Sequence, residues 1–212
     1  VMWSMGNECG AGTNFKYCYE TSQRIDPTRP VHYEGTRIDR EYGGSAYSDF
    51  YSKMYPSMDW MARNTSNLEK PMFLCEYAHA MGNAIGNLDH YWQSIEQSNA
   101  TIGGCIWDWV DQAIYEPSEI KAASHIADGD VVGKGLRTGY DFPGPHQGNF
   151  CSNGILTADR KPTAKLAEVR GAQQFVKITM QGAPGTDKGS FAPVLNVRNA
   201  YDFRSLKGLD LV

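Results

Sequence analysis

The sequence predicts an α/β protein: the C-terminal portion, about strands 4–8, of a (β/α)8 barrel (TIM barrel), followed by the start of a β-sandwich domain. Three observations carry this. Short apolar runs alternate with segments of helical periodicity from residue 1 to about residue 174. The clearest run, Pro71-Met72-Phe73-Leu74-Cys75, is apolar on both faces, as in a parallel strand covered on both sides. Acidic residues follow directly after several runs, where barrel enzymes carry their chemistry.

Val1 to Met5 reads as a buried strand. It begins with no turn, cap or initiator Met before it, so the chain is expected to be a piece of a longer protein. Thr13 is placed to cap a helix from Asn14 to Ile25, with Phe15, Cys18, Tyr19 and Ser22 on one face. Asp26-Pro27 ends that helix, because the residue before proline avoids the helical region. Pro30 to Glu34 and Asp49 to Tyr55 are the next two strands, and Met58 to Asn64 a short helix.

After Pro71 to Cys75, the residues Leu88, Tyr91, Trp92 and Ile95 recur at helical spacing up to about Ser98. Gly103 to Trp109 is the fifth strand. From Val110 to Asn153 the chain is polar, rich in Gly and Pro, and without strong periodicity, and a loop of that length is usually functional. Ala164 to Gln174 reads as the last helix. Phe175 to Met180 and Pro193 to Val197 are β-like, so residues 1–174 are assigned to the barrel and 175–212 to a following β domain.

Repeated strand–helix units imply a parallel sheet with right-handed crossovers. A whole barrel takes about 250 residues, or roughly 31 per unit. Five units here take about 35 each, which fits a barrel lacking its first three units. A doubly wound open sheet is the alternative, but no GxGxxG turn follows a strand.

Composition excludes several classes. The net charge is −4, with no block of Lys or Arg, which speaks against nucleic-acid binding. No run approaches 18 apolar residues, so no membrane-spanning helix is expected. Five cysteines at 9, 18, 75, 105 and 151, an odd number without a CxxC pair, do not form a disulfide framework. Free cysteines favour a reducing cytoplasm over a periplasm, although the compartment stays open.

Three polar clusters follow apolar runs: Gly6-Asn7-Glu8, Glu76-Tyr77-Ala78-His79, and Trp107-Asp108-Trp109 with Asp111. A single strand-end Glu is usually the partner of a nearby Arg. Two at equivalent positions, each beside a further hydrogen-bonding residue, are what glycoside hydrolysis needs. One protonates the leaving oxygen, and the other attacks the anomeric carbon or activates water.

These residues also resemble a known family. Trp3-Ser4-Met5-Gly6-Asn7-Glu8, with Gly10-Ala11-Gly12-Thr13-Asn14, is similar to the acid/base signature of family 2 glycoside hydrolases. Asp26 to Gly35 resembles the segment that follows it in the β-galactosidase branch. Leu74-Cys75-Glu76-Tyr77-Ala78-His79-Ala80-Met81-Gly82-Asn83 resembles the nucleophile signature of that branch rather than of the β-glucuronidases. Gly103 to Gln112 and Phe150 to Ile155 complete a likeness reaching to about residue 175.

The resemblance implies a retaining hydrolase that removes terminal β-D-galactose through a covalent galactosyl-enzyme. It implies that Glu8 is the acid/base and Glu76 the nucleophile. Asn7 would bond the sugar 2-hydroxyl, Tyr55 the nucleophile, and His79 the sugar hydroxyls. Trp107 would form the floor under the ring. Phe150, through its carbonyl, and Asn153 would hold sodium, and Glu8 would also ligate magnesium. Implied partners are a small galactoside, the remaining domains of the parent enzyme and further copies of itself, with no nucleic acid and no membrane.

Some departures stand out. Ala11 replaces a frequent His, Gly139-Tyr140-Asp141-Phe142 matches only in part, and residues 113–138 follow no recognised pattern. The other magnesium ligands and one sodium-binding Asp lie outside this chain, so the fragment alone is expected to be inactive. A non-catalytic sugar-binding or assembly subunit is the alternative, against which the intact carboxylate pair argues. A metal hydrolase using Glu8, Glu76, His79 and Asp108 is a third reading, but no compact ligand spacing such as HExxH supports it.

Overall fold

The structure, a computed structural model, describes residues 1–10, 12–35, 47–115, 136–181 and 194–210. Its elements run in the order β1 (Trp3–Ser4), α1 (Thr13–Ile25), β2 (Val31–His32), β3 (Tyr51–Met54), α2 (Met58–Asn64), β4 (Met72–Tyr77), α3 (Leu88–Gln97), β5 (Thr101–Ile106), β6 (Ile114–Tyr115), β7 (Leu136–Arg137), α4 (Ala164–Ala172), β8 (Val176–Gln181) and β9 (Val194–Asn199).

Strands β3, β4 and β5 form a parallel sheet in chain order, and β1 and β2 form a second parallel pair. Hydrogen bonds join the two. The Asp49 N–H donates to the Val31 carbonyl at 2.8 Å, and the Asp49 carboxylate accepts the Val31 N–H at 2.7 Å. The five strands therefore follow one another in space as in sequence, the arrangement of a β/α wall. All their C-terminal ends lie on one side.

The helices cover one face of this wall. Met72, Leu74 and Tyr77 of β4 are fully buried with Met61 of α2, Leu88 and Ile95 of α3, and Val169 of α4. The periodicity that defined these helices is the stripe they bury. Helix α2 starts where Ser57 accepts the Trp60 N–H at 3.1 Å, an ordinary N-cap.

A second set of residues is polar and lies away from that core. His32 is 3% exposed and sits between two hydroxyls, Ser4 Oγ at 3.1 Å from Nδ1 and Ser52 Oγ at 2.9 Å from Nε2, with the Phe73 ring edge-on at 5.4 Å. Burial pushes the imidazole down to about 4. The folded state thus holds His32 neutral where the unfolded chain would protonate it, at about 6.5. Stability is therefore expected to be lost as pH falls from about 6.5 towards 4, by up to roughly 3 kcal/mol from this one group. Urea midpoints at pH 7 and pH 4.5 would show this, and His32→Gln should flatten that part of the slope. An unchanged slope in the variant would contradict it.

Several expected boundaries move. Strand β1 is two residues long and exposed rather than buried over Val1 to Met5, because among the described residues only β2 lies beside it. Gly12, in extended conformation, takes the N-cap of α1, Thr13 is its first residue, and no side chain caps it. Strand β5 begins at Thr101 and stops before Trp107, and the Trp107–Asp108 peptide is cis. The Gly/Pro-rich stretch is not wholly irregular: β6 and β7 pair antiparallel, and short 3-10 turns cover Gly139–Asp141 and Gly148–Cys151. Ala11 and most of the unpatterned stretch 113–138 lie outside the described residues.

A sixth parallel segment was not legible in sequence. Residues 153–156 run beside 108–111, with the Asp108 N–H donating to the Asn153 carbonyl at 2.8 Å and the Leu156 N–H to the Trp109 carbonyl at 3.0 Å. Gly154 makes this approach possible, since a Cβ there would lie 2.1 Å from the Asp111 nitrogen. Strands β8 and β9 form an antiparallel hairpin, tied to α3 where Glu96 meets Lys177 at 3.3 Å and Arg198 at 3.4 Å.

Candidate active site

The residues singled out in sequence lie on successive strand ends of one rim. Glu8 sits in the loop after β1, Tyr55 directly after β3, Glu76 next to last in β4, and Trp107 directly after β5. Glu8, Tyr55 and Ala78 all have left-handed backbone, at φ 51°, 43° and 49°. Such conformations cost about 1–3 kcal/mol each in non-glycine residues and gather where a site must aim its side chains.

The best-defined contact is between Tyr55 and Glu76. The phenol donates to Glu76 Oε2 at 2.6 Å, and the Tyr55 N–H donates to the Glu76 carbonyl at 2.8 Å. Burial, that hydrogen bond and the carboxylates of Glu76 and Glu8 all push the phenol far above its usual range. Tyr55 is therefore a permanent hydrogen-bond donor to Glu76 and no base.

His79 continues the rim. Its ring lies 5.9 Å from that of Tyr55 and 5.2 Å from that of Phe150. The Met81 N–H points to Nδ1 at 3.4 Å, and in the tautomer that accepts it, Nε2 carries the hydrogen. That Nε2 is buried with no partner among the described residues. Trp107 is half-buried and fixed by its backbone, its N–H on the Tyr77 carbonyl at 3.1 Å and its carbonyl accepting from Ala80 at 2.7 Å.

Asn153 is fully buried, and neither Oδ1 nor Nδ2 has a partner among the described residues. An unsatisfied buried amide costs about 1–3 kcal/mol per group, so this side chain is set for a ligand. Phe150, in the Gly148–Cys151 turn, is 42% exposed beside His79. Asn7 is exposed next to Glu8, and its carbonyl accepts the Cys9 thiol at 3.2 Å. The structure thus gathers Tyr55, Glu76, His79 and Phe150, with Glu8 on a loop of the same rim. It reaches Asn7, Trp107 and Asn153 through the same loops, without a direct side-chain contact to the carboxylates.

Cys75, next to the nucleophile position, is pushed up to about 11, chiefly by burial, so it stays a thiol at neutral pH. That removes it as a competing nucleophile. No group of three or more His, Cys, Asp or Glu side chains able to hold a metal occurs among the described residues. A zinc-type centre built on Glu8, Glu76, His79 and Asp108 is therefore not present there. The free Oδ1 of Asn153 is a hard oxygen donor that fits sodium.

Three residues turn out to be anchors, a role the sequence reading did not assign to them. Glu34, at the end of the β2 segment and 6% exposed, accepts the Glu8 N–H at 2.7 Å. The rule that selected Glu8 and Glu76, an acidic residue straight after an apolar run, would also have selected it. Asp111 accepts the Gly154 N–H at 2.7 Å, and Lys165 donates to the Ala80 carbonyl. Burial raises the Asp111 carboxyl, opposed by that N–H and by Lys165. These two pin the Asn153 and His79 loops from outside; Asp111 follows an apolar run, whereas no local signal marks Lys165.

A parallel β/α wall with acidic residues at its C-terminal strand ends defines a barrel hydrolase. The sequence pattern of the glycosyl hydrolases family 2 TIM barrel domain matches residues 1–178, and the chain belongs to that family. It is 40% identical over 213 residues to a β-galactosidase of Priestia megaterium, covering 100% of this chain and 19% of that protein. A β-galactosidase of Klebsiella pneumoniae is 37% identical over 194 residues, covering 85% of this chain and 17% of that protein. The chain thus spans about a fifth of these relatives. Among solved structures, a family 2 β-galacturonidase from Eisenbergiella tayi bound to galacturonate superposes with a TM-score of 0.51 at 17% identity, over 81% of this chain and 32% of that one. At that identity the likeness concerns the fold.

Proposed function

We propose that the protein carrying this chain is a retaining β-galactosidase, with Glu76 as nucleophile and Glu8 as acid/base. The observation that carries this is the 2.6 Å bond from Tyr55 to Glu76 at a strand end, with Glu8 after the parallel strand β1 on the same rim. The β-galactosidase relatives supply the sugar. Glu76 attacks the anomeric carbon while Glu8 gives its proton to the leaving oxygen. Glu8 then takes a proton from the water that releases galactose. Tyr55 holds one oxygen of Glu76 so that the other faces the sugar. His79 Nε2 donates to a sugar hydroxyl, Asn7 bonds the 2-hydroxyl, and Trp107 lies under the ring. Phe150 and Asn153 would hold sodium and Glu8 magnesium, whose part is to fix sugar hydroxyls and the acid/base by electrostatics.

In this reading residues 1–174 are about strands 4–8 of the barrel and 175–212 begin a β-sandwich domain. The remaining domains and further copies complete the assembly. The share of the relatives that this chain spans and the exposed outer side of β1 support it. Full-length protein should hydrolyse aryl β-galactosides in preference to β-glucuronides and β-galacturonides. A 2-deoxy-2-fluoro-galactosyl label should be found on the Glu76 peptide. Preference for a uronide, or a label elsewhere, would overturn the proposal. Tyr55→Phe should lower kcat by about 10²- to 10³-fold with little change in KM, since it removes a preorganised donor. Steady-state kinetics within threefold of wild type would contradict that role.

A further inference from the structure

We propose that Glu34 is a positioning residue for Glu8, holding the acid/base loop from behind with Tyr33 as a second grip; this rests on the reading of Glu8 just given. Strand β2 is buried, and the chain continues from it into Tyr33 and Glu34, 3% and 6% exposed. A carboxylate removed from water to that extent is costly unless it accepts strong hydrogen bonds. The bond it accepts comes from the backbone of Glu8 itself, at 2.7 Å.

Glu8 needs such a hold. Its φ of 51° is a conformation that L residues avoid, and it persists only where neighbours impose it. Glu34 fixes the N–H of Glu8. Two residues on, the Tyr33 hydroxyl donates to the Gly10 carbonyl, and the Tyr33 ring stacks on Phe15 of α1 with centroids 3.9 Å apart. The loop is thus gripped on both sides of the acid/base, at the Glu8 N–H and at the Gly10 carbonyl. Releasing the N–H would let the left-handed turn relax and swing the Glu8 carboxyl from the leaving oxygen. Catalysis is sensitive to misplacement of about 1 Å.

The role predicts a selective defect. In full-length protein, Glu34→Asp keeps the charge but cannot reach the Glu8 N–H. It should lower kcat/KM on β-galactosides with alkyl or sugar leaving groups about 10- to 100-fold, a part of what a positioned general acid contributes. Dinitrophenyl galactoside, whose leaving group departs without a proton, should lose less than threefold in the glycosylation step. Glu34→Gln, which keeps the acceptor oxygen at full length, should restore the poor substrates to within about threefold.

Equal losses on both substrate classes, or no loss on either, in a Glu34→Asp protein that melts like wild type would overturn the proposal. If Glu34→Asp does not fold, Glu34→Gln decides: an unselective loss there also overturns it, and near-wild-type kinetics support the acceptor role. Glu8→Gln run in parallel separates the two readings. Failure of Glu8→Gln to discriminate leaving groups would overturn the assignment of Glu8, and this proposal with it. A selective Glu8→Gln beside an unselective Glu34→Asp would overturn only the role of Glu34.

Discussion

Glu76→Gln in the full-length protein is expected to abolish formation of the glycosyl-enzyme whatever the leaving group, because the amide cannot attack the anomeric carbon. Glu8→Gln should behave differently. Activated aryl galactosides should still glycosylate Glu76, and the intermediate should then accumulate, since no base remains to activate water. Azide, which needs no base, should release it as β-galactosyl azide. Burst kinetics with and without azide measure both steps. Equal loss of the first step in the two variants would show that the roles are wrongly assigned. The geometry has its own check. In the complete barrel the two carboxyl groups should stand about 5–5.5 Å apart, whereas an inverting pair would leave about 6.5–9.5 Å.

The 212-residue chain expressed by itself should show negligible β-galactosidase activity. Strand β1 has β2 on one side and no strand on the other among the described residues. Beside it, Trp3, Met5, Tyr17, Cys18 and Ile25 line an apolar groove of about 530 Å³, with Trp3, Tyr17 and Ile25 exposed. An open strand edge next to apolar surface invites association. With one wall of the mouth open, water would weaken every charge interaction around Glu8 and Glu76. Hydrolysis of a chromogenic β-galactoside, with magnesium and sodium present, compares the chain with its Glu76→Gln variant. Robust turnover that vanishes in the variant would show that the chain builds a working site unaided. Elution on size exclusion as a monomer at high concentration would speak against the exposed edge as an association surface.

Much of this molecule was legible from local pattern. Helix α2 has the bounds that its residues suggest, Met58–Asn64, because Ser57 caps it and Pro56 stands before. Strand β4 follows the apolar run after Pro71, and its end carries Glu76 where the pattern placed the chemistry. These features depend on residues a few positions apart. The reading failed where a feature depends on a distant partner. Thr13 looked like a cap, yet the backbone already turns at Gly12. Val1 to Met5 looked buried, yet an apolar run is buried only if something covers it, and Trp3 stays 48% exposed. Asn153 ends a polar, Gly/Pro-rich stretch, yet it is buried with both amide atoms unpaired among the described residues, because residues 153–156 close against 108–111.

The sequence by itself determined the alternation of strand and helix, the parallel wall that follows from it, and the acidic residues at the strand ends. Periodicity, caps and breakers act within a few residues, so they can be read along the chain. Only the tertiary structure decided which of those ends converge. It set the Tyr55 phenol on Glu76, 21 residues away, and put His79 between Tyr55 and Phe150. It also turned Glu34, one strand-end carboxylate among several, into the support of Glu8, 26 residues before it. Such contacts join residues on different strands, and their geometry is fixed by strand register and by packing of the helices behind the wall, which no local pattern encodes.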